Sequence, residues 1–230
     1  MTISPRPLRA DAERNRRAIV DAAGTVFAKE GTAVTLEHIA DVAGVGVGTI
    51  YRRFSSVEEL VAVVLEEKMT RYADRTEQAA QQALTEPWEA FGDYVLFMLE
   101  QQATDLAFSE VILAPATATD LFRSEIGRAL DASIQLVDRA KEAGAIREDF
   151  DHSDLYLLLN ANAGLIRGAG RSAPDAWRRF GQYLLQAFRE RGTETLAAPP
   201  AAWARAGRAR RTAPKQPDEA PVRQVTEPPA

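Results

Sequence analysis

Cysteine is absent and histidine occurs only twice, at His38 and His152. The first absence excludes disulfides, thiolate zinc sites and a cysteine nucleophile. The second leaves little for imidazole-based metal binding or acid–base catalysis. No apolar run reaches the length of about 18 residues that a membrane-spanning helix requires. The opening MTISPRPLRADAERNRRAIV also lacks the apolar stretch of a secretory leader, so a cytoplasmic chain with no membrane partner is expected. Alternating strand patterns of useful length are missing as well, and Gly and Pro fall between helical stretches rather than inside hairpins. The many glutamates form no distinguishing pair of catalytic carboxylates, so no enzyme and no cofactor are expected.

What is present is material for a large helical core: 230 residues, 46% of them hydrophobic. The net charge of −5 is unevenly spread. Residues 1–56 carry eight Lys and Arg against six Asp and Glu, residues 57–195 fourteen against twenty-four, and residues 196–230 six against three. An acidic body with a positive N-terminal unit suits contact with nucleic acid at one end only.

Apolar periodicity divides the chain into about nine helices. Residues 1–13 read as a flexible basic arm, with order beginning near Arg14. Ile19, Ala22, Ala23, Val26 and Phe27 form an amphipathic stripe that ends at Gly31. A second helix starts at Thr35 and a third after Gly44 and Gly46. A fourth starts at Ser55 and Ser56, which precede Glu58 and Glu59 at capping-box spacing, and runs to about Gln82. Pro87 opens a fifth, Leu106 to Leu113 form a sixth, and Asp120 opens a seventh that ends at Gly144. After the polar connection IREDFDHSD, residues 155–170 are apolar on nearly every side and are expected to be buried all round. A last helix opens at Pro174 with Trp177, Phe180, Leu184, Leu185 and Phe188 along one stripe. Asp151, His152 and Asp154 superficially suggest a metal triad, but a polar connector with Ser153 or Asp154 as helix cap explains them better. The expected units are a helix-turn-helix over 14–56, a helical effector and dimerisation unit over 57–192, and a disordered tail over 193–230. In that tail RAGRARR at 205–211 is either solvated or a non-specific DNA contact.

TLEHIADVAGVGVGTIYRRF at 35–54 is the informative segment. Two short helices crossing steeply need a small residue at their approach, a left-handed turn residue and apolar residues facing inward. Ala40, Gly44, and the set Ile39, Ala43, Val45, Ile50 and Phe54 supply these. Thr35 caps an N-terminus whose free N–H groups suit a phosphate. The outward set Gly46, Val47, Gly48, Thr49, Tyr51, Arg52 and Arg53 is odd for plain packing. Gly46, Val47 and Gly48 let the backbone approach base edges, and Thr49 can bond a base or meet a thymine methyl. Arg52 reaches guanine or a phosphate. Tyr51 and Arg53 suit phosphates. Arg14, Arg16 and Arg17 either clamp the flanking backbone or form an ordinary solvated turn. A helical adaptor that uses the same surface for a protein partner is the competing class.

The array NRRAIVDAAGTVFAKEGTAVTLEHIADVAGVGVGTIYRRFSSVEELVAVV at 15–64 resembles the DNA-binding domain of tetracycline-repressor-type (TetR family) regulators. The resemblance implies a homodimer that places two recognition helices in successive major grooves of a near-palindromic operator. It also implies a helical C-terminal domain in which a small-molecule effector resets the spacing of those helices, most often to release a repressor. Gly46 stands where many members carry serine, and Val57 where a lysine often meets phosphate.

In the second half, helices 155–170 and 174–191 suit a dimer interface in the form of a four-helix bundle. Gly164 and Gly168 ease close approach, either to a partner chain or within this one. Trp88, Phe91, Tyr94, Met98, Phe108 and Phe122 either line an apolar ligand pocket or fill core. Asn160 and Asn162, amides in an apolar helix, are expected to be hydrogen-bonded or to face a wet, ligand-binding cavity.

Overall fold

Pro7 does not delay the first helix: in the computed structural model α1 runs Arg6–Glu30, eight residues earlier than the start expected at Arg14. A proline in the first helical turn forfeits no intrahelical hydrogen bond, and Ala10, Ala12 and the charged residues after it are good helix formers. The structure describes residues 6–113, 122–169, 172–189 and 196–197. Expectations for residues 1–5 of the arm, for the tail over 193–230 apart from residues 196 and 197, for Asp120 and for Gly170 lie outside them.

Among the described residues every element is helical. After α1 come α2 (Leu36–Ala43), α3 (Val47–Tyr51), α4 (Val57–Gln82), α5 (Pro87–Thr104), α6 (Leu106–Leu113), α7 (Arg123–Glu142), α8 (Ser153–Ala169) and α9 (Ala176–Arg189). None of them is long and apolar enough to cross a membrane. Ser56 caps α4 by accepting the Glu59 N–H at 3.3 Å, and the Glu59 carboxylate reaches back to the Ser55 N–H at 2.7 Å. The capping-box pattern is thus realised with its return arm one residue earlier than usual.

Two apolar cores organise the chain. One joins Ile19, Ala23, Val26 and Phe27 of α1 to Ile39 of α2, Ile50 of α3 and Leu60 and Leu65 of α4, and it continues into Phe108 and Val111 of α6. The other gathers Phe91, Tyr94, Val95, Met98 and Leu99 of α5 with Leu136 and Val137 of α7, Leu155 and Leu158 of α8 and Trp177 of α9. The N-terminal helices therefore share a core with α6 instead of standing apart. Polar clamps join the halves further: Arg128 of α7 bridges Asp74 and Glu77 of α4 at 2.6 and 2.8 Å.

The polar connection over 146–154 is more than a tether. Ile146 and Phe150 are buried, and the Phe150 ring meets Phe91 and Phe188 edge-on at 5.5 and 5.0 Å. Arg147 N–H donates to the Phe188 carbonyl at 3.0 Å, and Lys141 Nζ to the Phe150 carbonyl at 2.8 Å. Asp151 accepts the Ser153 N–H at 2.9 Å while Asp154 accepts the Asp151 N–H at 2.8 Å, so these carboxylates open α8. The expectation that 155–170 is buried all round also fails in the single chain. Leu157, Asn160, Ala161, Gly164 and Gly168 form an exposed stripe.

A second joint lies at the corner between α1 and α2. Glu110 of α6 accepts both the Thr32 N–H and the Thr32 hydroxyl through Oε2, each at 2.7 Å. Gly31 makes room: its φ is +80°, and a Cβ there would sit 2.3 Å from Glu110 Oε1. Replacing the carboxylate removes two charge-assisted bonds. Glu110→Ala is expected to speed hydrogen exchange at the Thr32 amide by at least about tenfold, with protection in α9 unchanged; hydrogen-exchange mass spectrometry reads both. Phe150→Ala opens a cavity beside the rings of Phe91 and Phe188 and is expected to lower unfolding free energy by about 3–5 kcal/mol in chemical denaturation. Leu84→Ala, at an exposed site, should stay within about 0.5 kcal/mol of the parent.

Candidate nucleic-acid interface

Thr35 takes extended backbone (φ −107°, ψ 156°) and its hydroxyl accepts the His38 N–H at 3.2 Å, which opens α2 as expected. At the other end Gly44 is left-handed with φ +66°. Its N–H reaches the Asp41 carbonyl at 3.1 Å and the Val45 N–H reaches Ala40 at 3.0 Å. This paired closure is the Schellman arrangement, and it turns the chain sharply into α3. Gly46 opens α3, its carbonyl accepting the Thr49 N–H at 2.7 Å.

Inward and outward faces separate as the spacing predicts. Ile39, Ala40, Ile50 and Phe54 are buried, with Ala43 and Val45 half-buried against the same core. Gly46, Val47, Gly48, Tyr51, Arg52 and Arg53 are exposed and Thr49 is half-buried. Val47 and Tyr51 leave 47% and 49% of their surface to solvent, a large apolar exposure that the chain's own packing does not explain.

Hydrogen bonds pre-set this face. Arg52 Nη2 donates to Thr49 Oγ1 at 3.1 Å, so the two expected base readers are tied together. The Tyr51 hydroxyl donates to Glu37 Oε1 at 2.5 Å, linking α3 to the first turn of α2. That bond, followed by Glu37's own backbone N–H, holds the Glu37 carboxyl below the usual range, and the same carboxylate raises the Tyr51 phenol. Tyr51 thus stays a donor at neutral pH. Sequence reasoning missed Glu37, because an acidic residue in a first helical turn reads as an ordinary partner for the helix dipole. Arg14 is ion-paired with Asp11 one turn earlier, and Arg16 and Arg17 are exposed on α1. At α4, Glu58 and Glu59 occupy the first turn beside Val57, which leaves that end acidic where the related pattern often has a lysine.

The effector candidates do not converge on one cavity. Phe108 and Phe122 are buried in the core shared with the N-terminal helices; Phe91, Tyr94 and Met98 are buried in the other. Phe108 packs edge-on to Tyr72 at 5.2 Å, and the Tyr94 hydroxyl lies 3.2 Å from that of Tyr72. Burial pushes both phenols up. Trp88 is half-buried under the Arg189 guanidinium at 4.7 Å. Asn160 is exposed and donates to the Tyr156 carbonyl at 2.8 Å, contrary to the buried position expected. Residues two apart on a helix point about 200° apart, so only Asn162 faces inward, where it is fully buried. An open groove of about 610 Å³ lies between α4 and α7, lined by Asp74, Glu77, Gln78, Gln81 and Gln135 over Ala80 and Ala132. None of the aromatic candidates lines it.

Comparison with known proteins adds to this geometry. Residues 19–64 match the model of bacterial regulatory proteins of the tetR family, and residues 86–182 match the C-terminal domain of SbtR-like transcriptional regulators. Together the matches span more than half of the chain. Comparison with curated proteins gives no match. Among solved structures, the chain is similar to the fatty acid degradation regulator FadR from Bacillus halodurans, at 24% identity and TM-score 0.53, over 83% of this chain and 100% of that one. It is also similar to SmeT, the repressor of a Stenotrophomonas maltophilia multidrug efflux pump, at 21% identity and TM-score 0.54, over 80% and 97%. FadR from Bacillus subtilis in complex with stearoyl-CoA matches at 19% identity and TM-score 0.55, over 76% and 98%. At these identities the structures speak for the fold. With an N-terminal helix-turn-helix and a helical C-terminal domain each matched by its own model, the chain belongs to the TetR family of transcriptional regulators.

Proposed function

We propose that this chain is a homodimeric repressor that binds a near-palindromic operator and leaves it when a small-molecule effector occupies the helical domain. The observation that carries the reading is the outward face of α3. Thr49, Tyr51, Arg52 and Arg53 are displayed on α3 and the turn that follows it, a segment whose apolar anchors are the buried Ile50 and Phe54. In this reading Gly48, Thr49 and Arg52 meet base edges. Thr35, Tyr51 and Arg53 meet phosphates, with Arg14 and Arg17 on the flanking backbone. Gly46 and Val47 provide the close approach.

For the dimer we assign the exposed stripe of α8 together with the outward side of α9. Leu157 and Tyr183 leave 51% and 58% of their surface uncovered, and Gly164 and Gly168 have no heavy atom within 4 Å of a would-be Cβ, so a symmetry mate can approach closely. For the effector we assign the packed layer where α5, α6 and α8 meet around the buried Asn162, with Phe91, Tyr94 and Met98 bordering it from one core and Phe108 from the other, and with Trp88, Phe122 and the exposed Asn160 outside it. One fold neighbour is in complex with stearoyl-CoA, which supports a small-molecule ligand for a chain of this architecture. The acidic body and positive N-terminal unit support nucleic acid over a protein partner for the α3 surface.

Binding to DNA selected from the chain's own genomic neighbourhood, followed by fluorescence anisotropy across a salt series, tests the reading. Thr49→Ala is expected to weaken the preferred site by about 1–3 kcal/mol and to relax its sequence preference. Arg53→Ala should weaken all sequences alike and flatten the salt slope by about one. Salt-insensitive binding, or equal affinity for random DNA, contradicts the proposal. Leu157→Asp places a charge in the middle of the proposed interface. It is expected to convert dimer to monomer in light scattering with helicity retained and operator affinity lost; an unchanged mass moves the interface elsewhere.

A further inference from the structure

The two ends of the Asn162 carboxamide meet different surroundings. Its Nδ2 donates to the Leu99 carbonyl at 3.2 Å and to Gln102 Oε1 at 3.0 Å, both on α5. Gln102, itself fully buried, passes the network on by donating through Nε2 to Ser109 Oγ of α6 at 3.3 Å. Asn162 Oδ1, by contrast, is buried with no hydrogen-bond partner, the one such side-chain atom among the described residues. Turning the amide over does not cure this. The Leu99 carbonyl can only accept, so the NH₂ end must face it, and the flipped amide would set oxygen against oxygen. Buried acceptors are nearly always satisfied in folded proteins, and leaving one bare is costly.

Nothing in the helix itself requires an amide there. Leu158, Leu159 and Ala163 around it are buried and apolar, and leucine is a better helix former than asparagine. The groups in the network are a carbonyl, two carboxamides and a hydroxyl, all neutral. The Lys68–Asp105 pair near the start of α6 is closed on itself: Asp105 Oδ2 accepts Lys68 Nζ at 2.5 Å and Oδ1 accepts the Phe108 N–H at 2.8 Å. Among the described residues the network around Asn162 holds no charged group, so an anion would meet a bare acceptor there and a cation no carboxylate. A neutral donor meets what it needs.

Resting on the effector reading above, we propose that Asn162 Oδ1 anchors the effector and that the effector is a neutral molecule with an N–H or O–H on an apolar body. The atom is closed off from solvent, so the donor enters as α8 and α5 part. That movement alters the Gln102–Ser109 bond and displaces α6. Glu110, the residue after Ser109, holds the α1–α2 corner through Thr32, which connects occupancy to the position of the DNA-binding helices.

Matched neutral probes on the full-length protein test the proposal: indole against 1-methylindole, and phenol against anisole, each pair similar in size and differing in the donor. The donor member is expected to raise the melting temperature and release bound operator at concentrations at least about fivefold lower than its capped partner, a factor set by one net hydrogen bond. Asn162→Leu removes the acceptor while keeping bulk and should abolish that preference. In the wild type, the ¹³C resonance of the Asn162 side-chain carbonyl should move with the donor probes alone, which keeps the test open if the leucine variant does not fold. Equal action of the paired probes, no binding by any of the four, a preference that survives Asn162→Leu, or an unmoved carbonyl resonance overturns the proposal. Failure of the unliganded protein to bind any operator would instead overturn the repressor reading and leave the melting-temperature preference standing.

Discussion

A helix of five residues is too short to hold itself together in water, and everything the N-terminal unit can do depends on how α3 is held. Ile50 and Phe54 are sunk into the core of α1, α2 and α4, and the left-handed closure at Gly44 fixes the angle at which α3 leaves α2. Because tertiary burial does most of the holding, the outer face carries little structural duty beyond the Tyr51–Glu37 bond to α2. Glycines at 46 and 48, a half-buried threonine and two exposed arginines can stand there at little cost to the fold. The same constraint explains the Tyr51–Glu37 and Arg52–Thr49 bonds. On so short an element the long side chains are ordered by neighbours rather than by their own helix, and ordering before binding lowers the entropy lost on contact with DNA.

The N-terminal unit is welded to the body at two places of different character. One is apolar: α4 begins at the end of the helix-turn-helix and runs through the core it shares with α6. The other is polar and local, the Glu110 carboxylate gripping Thr32 where Gly31 leaves no side chain in the way. An apolar weld tolerates small sliding, whereas two charge-assisted bonds at 2.7 Å tolerate little. A shift of α6 is therefore transmitted to the start of α2 rather than absorbed. On the proposed effector reading, this corner is where a movement of one short helix would reset the recognition surface.

Much of the architecture was legible because its signals are local. Thr35, Gly31, Gly44 and Ser56 are cap and turn residues whose role depends on nearby backbone alone, and the stripes of α1 and α9 repeat with the helical period. Most of the errors share one cause, which is partners that are distant in sequence; the early start of α1 and the split between Asn160 and Asn162 are local matters of propensity and helical phase. Phe150 and Ile146 sit in a charged connector and reveal themselves only against Phe91 and Phe188. Glu110 looks like a surface residue until Thr32 is beside it. Helix α8 reads as buried all round because its exposed stripe, with Leu157, Ala161, Gly164 and Gly168, is nearly as apolar as its buried face, and composition alone does not separate the two. Asn160 and Asn162 look alike in the string, and only the phase of the helix separates the exposed one from the buried one. Of the interface, the inward anchors and outward set were readable, while Glu37 was not, since its role lies in its bond to Tyr51 fourteen residues on.

The central claim is that α3 reads duplex DNA as one of a symmetric pair. Selection of random duplexes by the full-length protein, followed by sequencing, tests it most directly. Enrichment of a near-palindrome whose half-site centres lie about 34–36 Å apart, one turn of B-DNA, is the expected result. Enrichment of isolated half-sites with no fixed spacing, or no enrichment over the starting pool, would contradict it.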